Sequence, residues 1–334
     1  MGANNYNCTI GEFFSMRQLF IQGGIMKIYT LTLNPAYDIH CSVESLCRGR
    51  ENFVRIDNKC AGGKGLNVSK ALTAAGVSNI AYVVLGNENS SEFIKEMSDK
   101  GICHRIIPIF GRVRENITVH EPGGVETRIS FGGAPVPRET FLELKRELLE
   151  RLAPGDFLTL TGSLPEGVSV SDGIELLEAA RLCGVKTVLD SRSFSLSDIA
   201  AAKPYLIKPN EEEIAAYSGS VPKDLKEAAS FAERLRHMGV ENVIVSLGDK
   251  GAALASPEGK YTVGAPEIEA ISTIGAGDSG IGGFIFASKR GLPLSDCLRF
   301  AVAFGSAACL EEGTEAPDFD NVMTLFDMTE AHPC

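Results

Sequence analysis

The chain has 334 residues, room for one large or two average domains, and its 44% hydrophobic and 22% charged content is that of a globular protein. A formal net charge of −11 speaks against sequence-independent binding to nucleic acid or to acidic membranes. Any phosphate ester it binds must therefore be met by a few local cations or by backbone N–H groups.

Residues 1–25 differ in character from the rest of the chain. Phe13, Phe14, Leu19, Phe20 and Ile21 are apolar, yet no basic start and no Ala-x-Ala site mark a signal peptide. A strand pattern begins at Met26, and we expect the preceding stretch to be a leader or extension outside the fold. No apolar run is long enough to cross a bilayer, so no membrane partner is expected. The nine cysteines contain no Cys-x-x-Cys pair and the five histidines do not cluster with them, which predicts reduced cytoplasmic thiols and no structural zinc.

In chain order, Lys27–Leu33 is β-rich and stops at Asn34-Pro35, and Gly65–Ala75 has helical spacing and stops at Gly76. Strand Ile80–Leu85 precedes helix Ser90–Lys100. Helix Arg138–Leu152 leads to strand Phe157–Thr161, and helix Val170–Leu182 to strand Thr187–Leu189. Strand Tyr205–Lys208 precedes helix Glu211–Tyr217, and helix Leu225–His237 precedes strand Asn242–Ser246. This alternation predicts βαβ units and an α/β fold around a mostly parallel sheet. Residues 39–60 and 104–131 break the rhythm with short extended segments and a Glu121-Pro-Gly-Gly124 turn. They predict a small β-sheet lid, which is also a candidate dimer surface. One domain over residues 26–325 with a short tail over 326–334 is preferred to two domains.

Ligands of such a sheet sit outside the carboxyl ends of the strands. Asp38, Gly162-Ser163, Asp190, Lys208-Pro-Asn210 and Ser246-Leu-Gly248 all fall there. Thr273-Ile-Gly-Ala-Gly-Asp-Ser279 opens a further helix. Gly275 and Gly277 let backbone N–H groups approach an anion at a helix N-terminus, and Asp278 sets a carboxylate beside that hole. The alternative is an N-cap at Asp278, with Gly280, Gly282 and Gly283 serving close helix packing. Ala61-Gly-Gly-Lys-Gly65 is not a Walker A loop, but Gly63, Lys64 and a helix N-terminus suit a sugar hydroxyl or phosphate, or else Lys64 is a solvated turn residue. Asn67, one turn on, faces the same mouth. Arg114 and Arg128 flank the lid turn, as phosphate ligands or as solubilising charges. Asn210 and Glu213, a turn apart, suit the water shell of magnesium, although acidic residues at a helix start are also expected from its dipole.

These blocks, in this order, resemble the pfkB branch of the ribokinase-like carbohydrate kinases from about Met26 to residue 325, nearest its phosphosugar kinases. They are Thr30-Leu-Thr-Leu-Asn-Pro-Ala-Tyr-Asp38, Gly62-Gly-Lys-Gly-Leu-Asn67, Thr161-Gly-Ser-Leu-Pro-Glu-Gly167, Ile207-Lys-Pro-Asn-Glu-Glu-Glu213, Val245-Ser-Leu-Gly248 and Gly275-Ala-Gly-Asp278. The resemblance implies a three-layer α/β/α arrangement, with Asp278 as the catalytic base and Gly275, Ala276 and Gly277 as its anion hole. It implies sugar contacts at Asp38, Gly63, Lys64 and Asn67, and phosphosugar contacts at Arg114, Arg128 and Ser163. Nucleotide contacts fall to Lys208, Ser246 and Gly248, with an indirect, water-mediated influence on magnesium at Asn210 and Glu213. The implied cofactors are ATP and Mg2+, with use of a monovalent cation left open, and the lid is implied as a homodimer surface. The implied reaction is phosphorylation of a ketohexose phosphate: fructose 1-phosphate first, tagatose 6-phosphate or fructose 6-phosphate as alternatives. A non-catalytic sugar-phosphate or nucleotide-binding regulator is the rival from another class. One departure stands out: where relatives read Asp-Thr/Ser-Ser-Gly, this chain reads Asp190-Ser-Arg-Ser-Phe194.

Overall fold

The computed structural model describes residues 26–334, so the expected leader over residues 1–25 lies outside the described residues. The strands are β1 (Ile28–Thr32), β2 (Ala36–Ser42), β3 (Arg55–Gly62), β4 (Ile80–Gly86), β5 (His104–Ile109), β6 (Arg114–Glu121), β7 (Val125–Ser130), β8 (Phe157–Thr161), β9 (Lys186–Asp190), β10 (Leu206–Ile207), β11 (Asn242–Ser246), β12 (Ala252–Ser256), β13 (Gly259–Val263) and β14 (Ala331–Pro333). The helices are α1 (Lys64–Ala74), α2 (Ser91–Asp99), α3 (Arg138–Arg151), α4 (Val170–Leu182), α5 (Leu196–Ala202), α6 (Glu211–Ser218), α7 (Leu225–Arg236), α8 (Ala276–Lys289), α9 (Leu294–Ala308) and α10 (Phe319–Asp327).

A ten-stranded sheet runs β5-β4-β1-β8-β9-β10-β11-β12-β13-β14. It is parallel from β5 to β11 and antiparallel beyond. Alternation along the central strands gives it two apolar faces. Ile28, Phe157, Val188, Leu206 and Ile244 pack against Val68 and Ala71 of α1, Phe284 of α8 and Phe304 of α9. Tyr29, Leu158, Leu189, Ile207 and Val243 pack against Phe141 of α3, Leu176 of α4 and Phe231 of α7. Strands buried on both sides read as runs of apolar and β-branched residues, threonine included, which is why they stand out in the sequence. The result is the expected three-layer α/β/α fold.

β1 lies between β4 and β8, so the winding reverses there and a crevice opens at the carboxyl ends. The smaller sheet, β3-β2-β6-β7, stands beside that crevice. Its pleat separates two faces: Asp38, Asn116 and Ser130 share one, with His40, Thr118 and Arg128 in the next row. On the other, Tyr37, Ile39, Cys41 and Val119 pack on Leu66 of α1, Val83 of β4 and Phe93 of α2.

Two boundaries differ from expectation. His104–Ile109, expected in the lid, is the edge strand of the large sheet, pairing Val83 with Ile106. Burial of Ile107 and Ile109 against the helical layer holds it there, and the alternation of so short a segment fits either sheet. The lid also starts earlier, at Ala36. Residues 326–334 are no tail: α10 runs to Asp327 and β14 covers the free edge of β13, pairing Val263 with Ala331. Three residues show no period, so only pairing reveals that strand.

Candidate active site

Helix α8 starts at Gly275, whose φ of +80° is the left-handed region that glycine enters without strain. No side chain caps this end, so Asp278 is not the N-cap; it is the third helical residue and turns inward. The first-turn N–H groups have no acceptor within the helix, Ala276 N donating only to Thr273 O at 3.5 Å, and the positive end of the helix dipole lies beside Asp278 and Lys208. Gly277 is needed for a specific reason: a Cβ there would come within 2.9 Å of Lys208 Nζ. The buried Lys208, carried just past β10, thus brings its ammonium to the mouth of the helix.

Asp278 is buried, and its Oδ2 accepts a hydrogen bond from Asn67 Nδ2 at 2.8 Å. Burial pushes its carboxyl up to about 6, against the opposing pull of Lys64; Asp190 adds to the rise, while Asn67 and Lys208 oppose it. The other amide atom of Asn67, Oδ1, is buried without a partner and is free to accept from a ligand hydroxyl. Lys64 Nζ donates to Asp190 Oδ2 at 3.0 Å. Burial disfavours its charge, but the carboxylates of Asp190, Asp278 and Glu213 outweigh that and hold it above its ordinary value.

The sugar-side residues of the sequence reading converge here. β3 ends at Gly62, where a Cβ would collide with Asp38 Oδ2, and Gly63 follows at φ +126° before α1 begins. Asp38 accepts from Asn116 Nδ2 at 2.9 Å. Arg114 donates to the carbonyl of Asn34 and to Asn116 Oδ1, and Asn34 Nδ2 donates to Ser163 Oγ at 2.9 Å, which makes Arg114, Asn34 and Ser163 one contiguous group. Arg128 shares the lid face of Asp38, one row farther out, and pairs with Glu126 at 3.1 Å. It belongs to the same face but not to the Arg114 group.

On the opposite wall, Asn210 and Glu213 form a reciprocal capping box at the start of α6: Asn210 Oδ1 accepts from Glu213 N, and Glu213 Oε2 from Asn210 N, both at 3.0 Å. Glu213 Oε1 is buried and has no hydrogen bond. A cavity of about 10 Å³, room for one water, is lined by Asp190, Ser191, Lys208 and Glu213. Ser246 ends β11 and Gly248 follows at φ +53°, its absent Cβ facing Glu211 Oε2 at 3.9 Å.

Sequence reasoning assigns no role to Asn34, Asn116, Lys70 or Thr314. Asn34 ends a strand before a proline and Asn116 lies two residues from Arg114 on one strand, so both are within reach of period arguments. Thr314 carries no such signal: its Oγ1 lies 3.5 Å from Asp38 Oδ2 only because the chain after α9 folds back. Lys70, buried on α1, donates to the carbonyls of Ala61 and Thr314 and ties that loop to the root of the lid.

A family profile described as pfkB family carbohydrate kinase matches residues 36–320. The chain is 32% identical to 1-phosphofructokinase of Haemophilus influenzae over 293 residues, 87% of this chain and 94% of the relative. It is 30% identical to the ATP-dependent 6-phosphofructokinase isozyme 2 of Escherichia coli over 307 residues, 90% of this chain and 98% of the relative. A crystal structure of phosphofructokinase-2 from Escherichia coli in complex with potassium superposes with a TM-score of 0.81 at 28% identity, covering 91% of this chain and 99% of that one.

Proposed function

Because this chain belongs to the pfkB family of carbohydrate kinases, and so transfers a phosphoryl group from ATP to a sugar hydroxyl, we propose that its acceptor is fructose 1-phosphate and its product fructose 1,6-bisphosphate. The observation that carries the reading of the site is Asp278: a buried carboxylate, oriented by Asn67 and raised toward neutrality, beside an uncapped helix start. Asp278 takes the proton of the acceptor hydroxyl as that oxygen bonds the γ-phosphorus and the bond to the ADP oxygen breaks. Amides at Gly275–Gly277 and the Lys208 ammonium face the charge that develops on the transferred group. Lys64, held to Asp190, keeps a cation beside the base. Asp38 and Asn67 accept sugar hydroxyls, and Arg114, Ser163 and Arg128 meet the existing phosphate, the local cations that a chain of net charge −11 requires. Ser246 and Gly248 border the nucleotide.

Residues present fit magnesium held through water rather than in a protein cage. Glu213 offers one buried oxygen without a hydrogen bond while its other oxygen and Asn210 are committed to the helix cap, and no cluster of three ligating side chains exists among the described residues. When bound with ATP, magnesium supplies charge neutralisation at the phosphates. The potassium in a solved relative motivates comparing activity in potassium and sodium buffers. We place the enzyme in the cytoplasm, which the free thiols fit, and read the lid as a homodimer surface.

A coupled ADP-release assay tests the reaction across fructose 1-phosphate, tagatose 6-phosphate, fructose 6-phosphate and the free sugars. Fructose 1-phosphate is expected to give the highest kcat/KM; a preference for fructose 6-phosphate would favour the second reading, to which the Escherichia coli isozyme points. No ADP release with any ketohexose phosphate would overturn the proposal. Asp278→Ala should lower kcat about a thousandfold with sugar-phosphate binding retained. Unchanged turnover would remove Asp278 as base and revive the regulator alternative.

A further inference from the structure

The departure after β9 places an arginine where it faces the acidic start of α6. Arg192 Nη2 pairs with Glu212, and its Nε lies 3.7 Å from Glu213 Oε1, the buried oxygen without a hydrogen bond. Glu213 lines the small cavity shared with Lys208, and Lys208 Nζ stands at the mouth of α8. A line of charge therefore runs from the helix start, through Lys208, to Arg192 on the rim.

Three consecutive glutamates, Glu211, Glu212 and Glu213, occupy the first turn of α6. They cancel the anion-attracting end of that helix and would repel a polyphosphate extending from α8 past Lys208. Arg192 is the cation that offsets them. Its pair with Glu212 is exposed, with the two side chains 63% and 75% accessible, and an ion pair so open to water is weakly held. A guanidinium meets phosphate oxygens in a bidentate, charge-assisted geometry, so a polyphosphate competes with Glu212 on favourable terms.

We infer that Arg192 is a nucleotide-specificity residue of this chain: its guanidinium is shared with Glu212 and is taken over by the β- and γ-phosphates of the nucleotide. This rests on the kinase reading. It makes Glu212 a competitor of the nucleotide, so the two side chains act in opposite directions.

Isothermal titration of the full chain with the magnesium complex of a non-hydrolysable ATP analogue, and separately with AMP, tests this. Arg192→Ala should raise the Kd for the analogue about tenfold and leave AMP binding unchanged. Glu212→Gln should tighten analogue binding about threefold, and that gain should vanish in the double variant. Arg192→Lys should restore part of the loss. Unchanged analogue affinity in Arg192→Ala, equal loss for AMP, or weakened binding in Glu212→Gln would each overturn the assignment. If the unmodified chain binds AMP and analogue alike, Arg192 has no β- or γ-phosphate contact and the assignment falls. If it binds neither, the kinase reading falls with it.

Discussion

Asp278 combines two demands that pull against each other. Burial raises its carboxyl to about 6, near the pH at which it would work as a base, and the same burial makes its ionised form a liability to the fold. The native state holds this proton more tightly than the unfolded chain does, so ionisation costs stability as pH rises from about 4 to about 6, and the cost stays constant above. Asp278→Asn should therefore raise Tm by about 2–5 °C at pH 8 and by nearly nothing at pH 4, read by calorimetry across that range. The same residue predicts that log kcat/KM falls with unit slope below about pH 6; a flat profile down to pH 5 would contradict the assignment. Asp278 was legible because a glycine-flanked acid before an apolar run is a local pattern. Its partner Asn67 was legible as a helix-face residue one turn past Lys64. Their 2.8 Å contact was not, since it joins residues far apart in the chain through the packing of α1 against α8.

Within α8 the glycines divide into two jobs that sequence reasoning sets against each other as alternatives. Gly275 and Gly277 serve the crevice. Gly280, Gly282 and Gly283 serve packing: added Cβ atoms would meet Ala301 O at 3.0 Å, Ala71 Cβ at 3.1 Å and Phe300 O at 2.4 Å. Substitutions should therefore separate. Gly277→Ala presses on the side-chain end of Lys208 rather than on backbone and should lower kcat about a hundredfold with little change in Tm. Gly283→Ala presses on the α9 backbone and should destabilise by about 1–3 kcal/mol, while the folded fraction keeps its kcat. Denaturant melts beside steady-state rates distinguish the two; equal effects in both assays would refute the division. The fully buried strand β8 and the amphipathic helix α4 were readable to the residue because period and stop signals agree there. β5 and β14 were not, because a short edge strand takes its identity from its neighbours in the sheet.

Across the whole molecule, the lid carries Asp38 on one face and, on the other, an apolar surface that extends beyond the part packed on α1, β4 and α2. Ile56, Val125 and Ile129 are exposed on the face opposite Asp38, and Phe131 is exposed just past the end of β7. Apolar area of this kind on a small sheet favours self-association. Ile129→Asp, one of whose neighbours across the strands is Ile117, should shift the chain from dimer to monomer in light scattering; a monomer before substitution would refute the lid interface. The presence of a lid was legible from the broken βαβ rhythm, whereas its start at Ala36 and its parallel β2–β6 pairing depend on contacts between distant segments. The opposition of the two faces has a thermodynamic consequence. β3 passes through Gly62 directly into the Lys64 helix, so on the proposed function the strands that would meet the sugar phosphate are those that would meet a second copy. Whatever ordering of those strands one ligand requires, the other finds already done. On the proposed function, self-association and sugar-phosphate affinity are then linked: with one sugar site in each of the two copies, saturating sugar phosphate lowers the dimer dissociation constant by the square of the factor by which dimerisation lowers the Kd for the sugar.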